Sequence, residues 1–218
     1  MNTQGVNCHC HDRQASLLTL SLEEYRDYKT VVDGQRLMVG IHPWDTTEAE
    51  MYGTFGILSD AIMDYRVVAI GEVGIDPLHG ATIERQEQLL RYQLRVANEA
   101  RMPVMFHIVR RYDILMRLYK EFRPVASWAV HGFRSNADVA RQLTSAGIYI
   151  SIGPRYNAEA VRTIPDHLLL LETDEAPESE ISAVIESVAA ARRIRQSTLA
   201  QTARDNLRRF LRSGQKSA

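Results

Sequence analysis

Apolar residues recur along this chain in two rhythms. Short apolar runs, often β-branched, alternate with longer stretches in which apolar positions return every three or four residues. The short runs predict strands and the longer stretches predict helices. Alternating strands and helices are typical of parallel sheets, and eight such units can close into a TIM-type (β/α) barrel. We predict an α/β fold of this class, with strands at residues 6–11, 16–20, 36–41, 67–71, 104–108, 126–130, 148–152 and 168–172.

Two predicted helices show a clear apolar face. In the stretch 84–100, Leu90, Leu94 and Ala97 share one helical stripe, and Pro103 follows before the next strand. The stretch 197–211 carries an equivalent stripe, made of Leu199, Ala203, Leu207 and Phe210. Because such stripes need an apolar partner, we expect both helices to pack against the sheet.

The first unit of the barrel departs from the ideal pattern. Only four residues separate the run that ends at His11 from the run that begins at Ser16, whereas a crossover between parallel strands needs about a dozen. Either the barrel is distorted here, or residues 16–20 do not form a parallel strand. We therefore expect a shortened or distorted first βα unit. Since no linker rich in Pro, Gly or Ser interrupts the chain, we predict one domain over residues 1–218.

Composition and charge narrow the class of protein. The 26 Lys and Arg residues balance 27 Asp and Glu residues, which argues against a generally basic nucleic-acid coat protein. Cys8 and Cys10 are too close in sequence to close a useful disulfide loop, and they fit a reducing cytoplasm. There is no long apolar run and no signal-peptide core. We expect a cytoplasmic protein without a membrane segment, and we predict no stable protein partner.

Histidines and acids concentrate at the ends of the predicted strands. In a (β/α) barrel these carboxyl ends meet on one face, where the following loops build the active site. Random scatter would not place so many metal-ligand residue types at one location. The residues concerned are His9, His11, His42, Glu72, His107, His131 and Asp174.

His9 and His11 are two residues apart on a predicted strand, so their rings should point to the same face. Cys8 and Cys10 alternate with them and should point outward, toward the covering layer. They are either thiolate metal ligands or buried apolar thiols, and we favour the second interpretation because free cysteine packs readily in cores. His42 is interpreted as a pocket residue that contacts substrate, with a structural turn as the alternative.

Four imidazoles and two carboxylates suit two divalent cations that share a bridging acid. The alternative, a set of separately hydrogen-bonded core groups, suits a single histidine better than six residues on one face. Imidazole and carboxylate ligands favour zinc, manganese, cobalt or nickel, and suit magnesium less well. The predicted metal ligands are His9, His11, Glu72, His107, His131 and Asp174.

Basic and aromatic residues near the same face are candidate substrate contacts. Arg110, Arg111, Arg134 and Arg155 follow three of the predicted strands and could hold phosphate oxygens, although ordinary surface charge is the alternative for each. Trp44 follows another predicted strand and is either a packing residue or a base-stacking platform.

At these residues the sequence resembles the TatD family of metal-dependent hydrolases. The matching blocks occur in family order over nearly the whole chain, and the Asn206 and Phe210 pair of the last helix also matches. Each block alone is weakly specific, but the ordered set is specific. The blocks lie at residues 7–11, 40–43, 69–76, 102–107, 130–133, 149–151 and 169–174.

The resemblance implies a TIM-type barrel with a divalent-metal site and a hydrolytic activity that in the family includes DNA exonuclease action. It carries the family's metal ligands onto the six residues already singled out. It further implies that Glu72 bridges or holds the second metal ion, and that Asp174 both binds metal and accepts the proton of the attacking water.

Two departures from the family pattern stand out. Asn7 replaces the usual Asp two positions before the first histidine, so this position carries no charge. After Asp174 the segment 175–180 is short and acidic, where the family usually has a longer loop with basic and polar contacts. An acidic rim would repel a polyanion.

Taken together, these features predict a divalent-metal-dependent hydrolase in which an activated water attacks a phosphodiester or other ester bond. DNA exonuclease activity on single-stranded DNA is the narrower hypothesis. Asp174 and Glu72 are the predicted catalytic residues, and His42 and Arg110 are the predicted substrate-binding residues. The acidic segment favours an alternative, an amide or acyl-ester hydrolase acting on a small or aminoacyl substrate. A metal-stabilised scaffold without catalysis is the third hypothesis.

Overall fold

A computed structural model describes residues 3–28, 35–47 and 51–214. Seven strands form one parallel sheet in sequence order, so each strand pairs with the next along the chain. The sheet curls in the manner of a TIM barrel, which confirms the predicted fold class. The strands are β1 Leu17–Ser21, β2 Arg36–Gly40, β3 Val67–Ile75, β4 Val104–Ile108, β5 Trp128–Val130, β6 Tyr149–Ile152 and β7 Leu169–Leu171.

Helices cover the outside of the sheet. In the described ranges the α-helices are α1 Leu22–Tyr28, α2 Met51–Met63, α3 Ile83–Ala100, α4 Tyr112–Phe122, α5 Ala137–Ser145, α6 Ala158–Thr163, α7 Ile181–Arg192 and α8 Gln196–Arg212. The apolar stripes predicted for α3 and α8 are buried, and Thr82 caps α3 by accepting a hydrogen bond from the Arg85 backbone N–H. None of the helices in the described part of the chain is long and apolar enough to cross a membrane.

Two apolar layers hold the sheet. The outer layer packs alternate strand residues, such as Phe106 and Val130, against the covering helices. The inner layer takes one residue from each strand and is closed by α8. Successive side chains of each strand point alternately into these two layers. Both faces of the strands are therefore apolar, as in other covered parallel sheets. The inner layer comprises Leu17, Met38, Ala69, Met105, Ala129, Tyr149 and Leu170 from the strands, with Leu207, Phe210 and Leu211 from α8.

The prediction of eight strands is wrong by one, because residues 6–11 do not form a regular strand. This segment makes only isolated parallel bridges to the β7 side, between Asn7 and Leu171 and between Cys10 and Asp174. The Asn7 side chain interrupts the ladder, since its Oδ1 accepts the Thr173 backbone N–H at 3.1 Å. On the β1 side, the Thr19 backbone N–H donates to the Cys10 carbonyl at 2.9 Å. The segment thus lies between β7 and β1 without a regular ladder to either.

The distorted first unit is confirmed, and β1 is parallel to β2. No helix crosses between residues 11 and 17; an acidic side chain spans this link instead. Glu178 accepts the Ser16 backbone N–H at 2.7 Å and the Ser16 hydroxyl at 3.0 Å. In return, Asp12 Oδ2 accepts the Glu178 backbone N–H at 3.1 Å. Part of the acidic segment is therefore hydrogen-bonded to the short link that stands in place of the first crossover helix.

Two further expectations are corrected. Strand β3 extends to Ile75, so Glu72 lies inside the strand rather than after it, where the pairing register with β4 shifts between Ile70 and Val73. Such irregularities redirect side chains. Cys8 does not point to the covering layer: it belongs to the inner layer, and its Sγ lies 3.0 Å from Ser151 Oγ. Both cysteines are buried and free, in agreement with the interpretation as apolar thiols.

Candidate metal centre

The predicted site residues meet in a cavity of about 610 Å³ at the carboxyl ends of the strands. Its size is typical of small-ligand sites. Five of the predicted metal ligands and His42 line it, and His9 lies fully buried behind them. The six lining residues are His11, His42, Glu72, His107, His131 and Asp174.

Glu72 lies at the centre of the cluster, and its two oxygens face different histidines. Oε2 is 3.2 Å from His9 Nε2 and 3.5 Å from His11 Nε2. Oε1 is 2.7 Å from His107 Nδ1 and 3.3 Å from His42 Nε2, and it also contacts His131 Nε2. A single buried carboxylate therefore joins five imidazoles.

Asp174 extends the His9 side of the cluster. Its Oδ1 lies 3.4 Å from His9 Nε2, and it remains a quarter exposed to the cavity. Its backbone φ of 59° is in the left-handed region, which a non-glycine residue seldom adopts. Uncommon backbone conformations of this kind cluster at functional sites, where the surrounding structure holds them.

The donor set fits divalent cations, as several buried polar atoms of the site lack protein partners. Among the described residues, no hydrogen bond reaches His9 Nε2, His107 Nε2, His131 Nδ1 or Glu172 Oε2. Leaving such atoms unpaired is costly, and a cation in the cluster would satisfy His9 Nε2, which faces Glu72 and Asp174. Four groups have ligand atoms within 4.8 Å of one another: His9 with His11 and Asp174, His9 with Glu72 and His131, His42 with Glu72 and His107, and His131 with Glu172 and Asp174.

Charge in the cluster is strongly coupled. Burial and the neighbouring His131 lower the pKa of His9, but Glu72 and Asp174 outweigh them and raise it to about 9. Burial raises the pKa of Glu72, but the charges of His131 and His9 hold it well below its usual range. Burial also opposes ionisation of Asp174, yet its contact with the neighbouring His9 lowers its pKa to about 2. Both carboxylates are therefore ionised at neutral pH, whereas His9 holds a proton that a bound cation would displace.

Three residues behind the cluster orient its rings. Thr19 Oγ1 lies 3.0 Å from His9 Nδ1, Asp76 Oδ2 lies 3.5 Å from His107 Nε2, and Glu172 Oε1 lies 3.6 Å from His131 Nδ1. Such partners fix which ring nitrogen faces a metal. Sequence reasoning missed all three roles, although Asp76 and Glu172 stand in the matching blocks. The available signal was an acid in or beside a buried apolar strand.

Asn7 supports the same region without a charge. Its Nδ2 donates to Thr173 Oγ1 at 2.8 Å while its Oδ1 accepts the Thr173 backbone N–H. Thr173 immediately precedes Asp174, so the buried amide holds the backbone from which that carboxylate projects. Asn7, at the position where the resemblance implies Asp, therefore serves as both a donor and an acceptor.

Some of the predicted substrate contacts line the cavity and others do not. His42, interpreted from sequence as a pocket residue, lies against Glu72 and His107. Arg134 and Arg155 line the cavity, whereas Arg110 is exposed and is not part of its lining. Its role as a substrate contact stays a prediction. Arg111 instead pairs with Asp113 at 2.9 Å at the start of α4.

The acidic segment contributes less negative charge to the cavity than its composition suggests. Glu175 lines the cavity, but Glu178 is directed to Ser16. Two arginines line the same cavity, Arg134 and Arg155. The rim therefore carries both signs of charge.

Comparisons with known proteins agree with this site. The chain is 34% identical over 126 residues to the metal-dependent hydrolase YjjV of Escherichia coli K12, covering 54% of this chain and 48% of that protein. It is 32% identical over 145 residues to the 3′-5′ ssDNA/RNA exonuclease TatD of the same organism, covering 62% and 55%. These matches span about half the length of the curated relatives.

The fold comparison covers more of the chain. The crystal structure of E. coli YjjV, a TatD homolog, superposes with a TM-score of 0.82 at 23% identity, covering 94% of this chain and 96% of that chain. A family model described as TatD related DNase matches residues 4–212. With the ordered blocks and the histidine–carboxylate cluster, these findings establish that the chain belongs to the TatD family of metal-dependent hydrolases and DNases.

Proposed function

We propose that this protein is a two-metal phosphodiesterase that removes nucleotides from single-stranded nucleic acid. The observation that supports it most is the division of the Glu72 oxygens between two sets of imidazoles. A carboxylate in that position can bridge two cations. The proposed ligands are His9, His11 and Asp174 on the Oε2 side and His107 and His131 on the Oε1 side.

When bound, a divalent cation lowers the pKa of the water it holds from about 16 to about 7 and offsets charge on the substrate. The chain's own residues perform the remaining tasks. Asp174 stays ionised, reaches the cavity and lies beside His9, so it can accept the proton of the attacking water. His42 lies at the cavity end of the cluster, where its ring can orient a phosphate oxygen.

Two arginines support a phosphate-containing substrate. Arg134 and Arg155 are exposed on the cavity lining, and neither has an ion-pair partner within the described ranges. Free guanidinium groups bind phosphate oxygens well. A relative's name, 3′-5′ ssDNA/RNA exonuclease, indicates the same substrate class for that protein. Single-stranded DNA or RNA is therefore the proposed substrate.

The test is release of nucleotides from end-labelled single-stranded DNA, with Mn²⁺ present and after chelation. Metal-dependent release by the wild-type protein, lost in Glu72→Gln, is the expected result. Glu99→Gln is the matched control, because Glu99 is exposed on the distant helix α3. Metal-loaded wild-type protein that releases no nucleotide would contradict the proposal.

A second candidate is an amide or acyl-ester hydrolase for a cationic or neutral small substrate. The observation in its favour is Glu175 on the cavity lining. A salt titration separates the two candidates. Binding of a polyanion weakens steeply as salt rises, whereas binding of a neutral substrate barely changes.

A further inference from the structure

Trp44 is an exposed aromatic ring at the mouth of the metal cavity. Half of its surface is exposed, although the ring is large and apolar. Its indole N–H donates to Asp76 Oδ2 at 2.7 Å, so the side chain is held in one orientation. The His79 ring packs on one side of it, with the ring centroids 4.8 Å apart. A ring that is fixed but still half exposed is typical of a binding surface rather than of a core residue.

The backbone that carries Trp44 is clamped to the rest of the protein. Trp44 lies in a short 3₁₀ helix, Pro43–Thr47, whose Thr46 hydroxyl accepts the Ala81 backbone N–H at 3.0 Å. Gly80 packs so closely that a Cβ there would lie 2.0 Å from the Pro43 carbonyl oxygen. With a φ of +80°, this position favours glycine for a second reason. The ring is therefore preorganised.

The ring stands directly beside the metal cluster. Its centroid lies 5.0 Å from that of His42 and 6.0 Å from that of His107, and both histidines contact Glu72. A nucleobase is joined to its phosphate through one sugar. A phosphate held at this edge of the cluster therefore has its base within reach of the indole.

A second cavity begins at the same ring. It has a volume of about 490 Å³, lies between α1 and α2, and shares Ser21, Trp44 and Asp45 with the metal cavity. Trp44 thus stands where the two cavities join. A group that leaves the metal cluster in this direction passes over the exposed ring.

We propose that Trp44 is a base-stacking platform, on which the nucleobase next to the reacting phosphate stacks. This inference rests on the proposed phosphodiesterase function and narrows its substrate to a nucleotide whose base is unstacked, hence to single strands. Stacking accepts any base, because every base presents a π face. Trp44 is thus a specificity-determining residue that recognises the base, separate from the residues that hold metal.

Tryptophan fluorescence tests this contact without any turnover. The chain has two tryptophans, and Trp128 is buried, so it serves as an internal reference. Titration of the protein with thymidine 5′-monophosphate should quench the Trp44 emission to saturation. Deoxyribose 5-phosphate, which lacks the base, should not. In Trp44→Phe the remaining Trp128 emission should not respond to either compound. Equal responses to both compounds, or no quenching by the nucleotide, would overturn the proposal.

A substrate comparison tests the consequence for specificity. In the wild-type protein, KM should be about 10-fold or more higher for an oligonucleotide whose terminal residue lacks its base than for the intact one. Trp44→Leu should remove this ratio, and Trp44→Phe should keep most of it. Leu78→Ala is the control, as Leu78 is an exposed apolar residue of the same cavity.

The outcomes distinguish the two proposals. If the wild-type protein hydrolyses neither oligonucleotide, the phosphodiesterase proposal fails, and the fluorescence titration alone decides whether Trp44 stacks on a base. If Trp44→Leu raises KM equally for both oligonucleotides, Trp44 acts only by holding Asp76, and the stacking proposal is wrong.

Discussion

The two ends of the sheet differ in whether their buried polar groups have hydrogen-bond partners. At the amino ends, where α8 closes the inner layer, the buried Asn206 donates to the Asp166 and Leu169 carbonyls at 2.6 and 2.7 Å. At the carboxyl ends, polar atoms of His9, His107, His131 and Glu172 are buried without a hydrogen bond to any described residue. The described amide at the amino ends is hydrogen-bonded, whereas several of the buried polar groups at the carboxyl ends keep one atom without a hydrogen bond.

This difference separates stability from function. A satisfied buried amide and a filled apolar layer stabilise the fold, whereas unpaired imidazoles and carboxylates destabilise it until a ligand arrives. Such a departure from the usual rules of packing is expected at functional sites. Substitutions at the carboxyl ends should therefore change activity and metal affinity, and substitutions at the amino ends should change the free energy of unfolding.

The largest effect is expected at Glu72. Glu72→Gln keeps the shape but removes the charge that faces both sets of histidines, so nucleotide release should fall on the order of 10⁴-fold. Initial rates on single-stranded DNA at saturating Mn²⁺ measure this. A variant that retains a tenth of the wild-type rate would remove Glu72 from the centre of the site.

Phe210→Ala is the opposite substitution, at the amino ends. Phe210 is fully buried in the inner layer and contacts the Tyr149 ring. We expect the free energy of unfolding to fall by about 3–5 kcal/mol, as measured by urea denaturation, while metal affinity stays within about twofold. A large loss of metal affinity in the folded variant would show that the two ends are not independent.

How far the sequence predicts this site depends on the kind of contact. The periodicity of the strands and their order in a parallel sheet place His107 and His131 on one face, because parallel carboxyl ends converge. The roles of Asp76 and Glu172 depend on which ring each acid meets after folding, and spacing does not reveal that. The failure at residues 6–11 has the same origin, since a side chain, Asn7, replaces part of the ladder.

The acidic segment, residues 175–180, is a second place where the sequence does not reveal the contacts that form on folding. The composition of residues 175–180 predicts a negatively charged rim. In the structure Glu178 is held by Ser16 and Asp12 over the shortened first unit. The shortened first unit and the acidic segment are distant in sequence, so only the fold reveals that they are hydrogen-bonded to each other. The effect of an acidic residue on the cavity therefore depends on the groups that it contacts in the folded protein.

Glu172 tests whether the acids behind the cluster take part in metal binding. Glu172 accepts the Gly132 backbone N–H at 2.6 Å and faces His131 Nδ1. Glu172→Gln should weaken metal binding by about 10–100-fold, because His131 loses the acid that orients it. Calorimetric titration with Mn²⁺ measures this, with Glu175→Gln as the control on the rim. Unchanged affinity in Glu172→Gln would limit Glu172 to a packing role.

The smallest effect is expected at an ion pair remote from the site. The Arg66 guanidinium hydrogen-bonds Asp64 and lowers its pKa to about 2, although partial burial opposes this. Since the folded pKa lies below the ordinary value of 3.8, the pair stabilises the fold above that pH and loses its contribution as the pH falls toward 2. Asp64→Asn should cost about 2 kcal/mol at pH 7.

The pH dependence supplies the check on this pair. The difference in unfolding free energy between wild type and Asp64→Asn should shrink as the pH falls from about 4 to about 2. Nucleotide release at pH 7 should be unaffected. A difference that stays constant over this pH range would show that the ion pair is not its cause.

The central claim is that the imidazoles and carboxylates grouped around Glu72 are metal ligands, and counting bound metal tests it most directly. The chelated protein is dialysed to equilibrium against Mn²⁺ and the bound ions are counted by atomic emission, for the wild type, Glu72→Gln and the exposed-surface control Glu99→Gln. We expect two ions for each wild-type and control chain and a clear loss in Glu72→Gln. A wild-type protein that binds no Mn²⁺, or a Glu72→Gln variant that binds as much as the wild type, would contradict it.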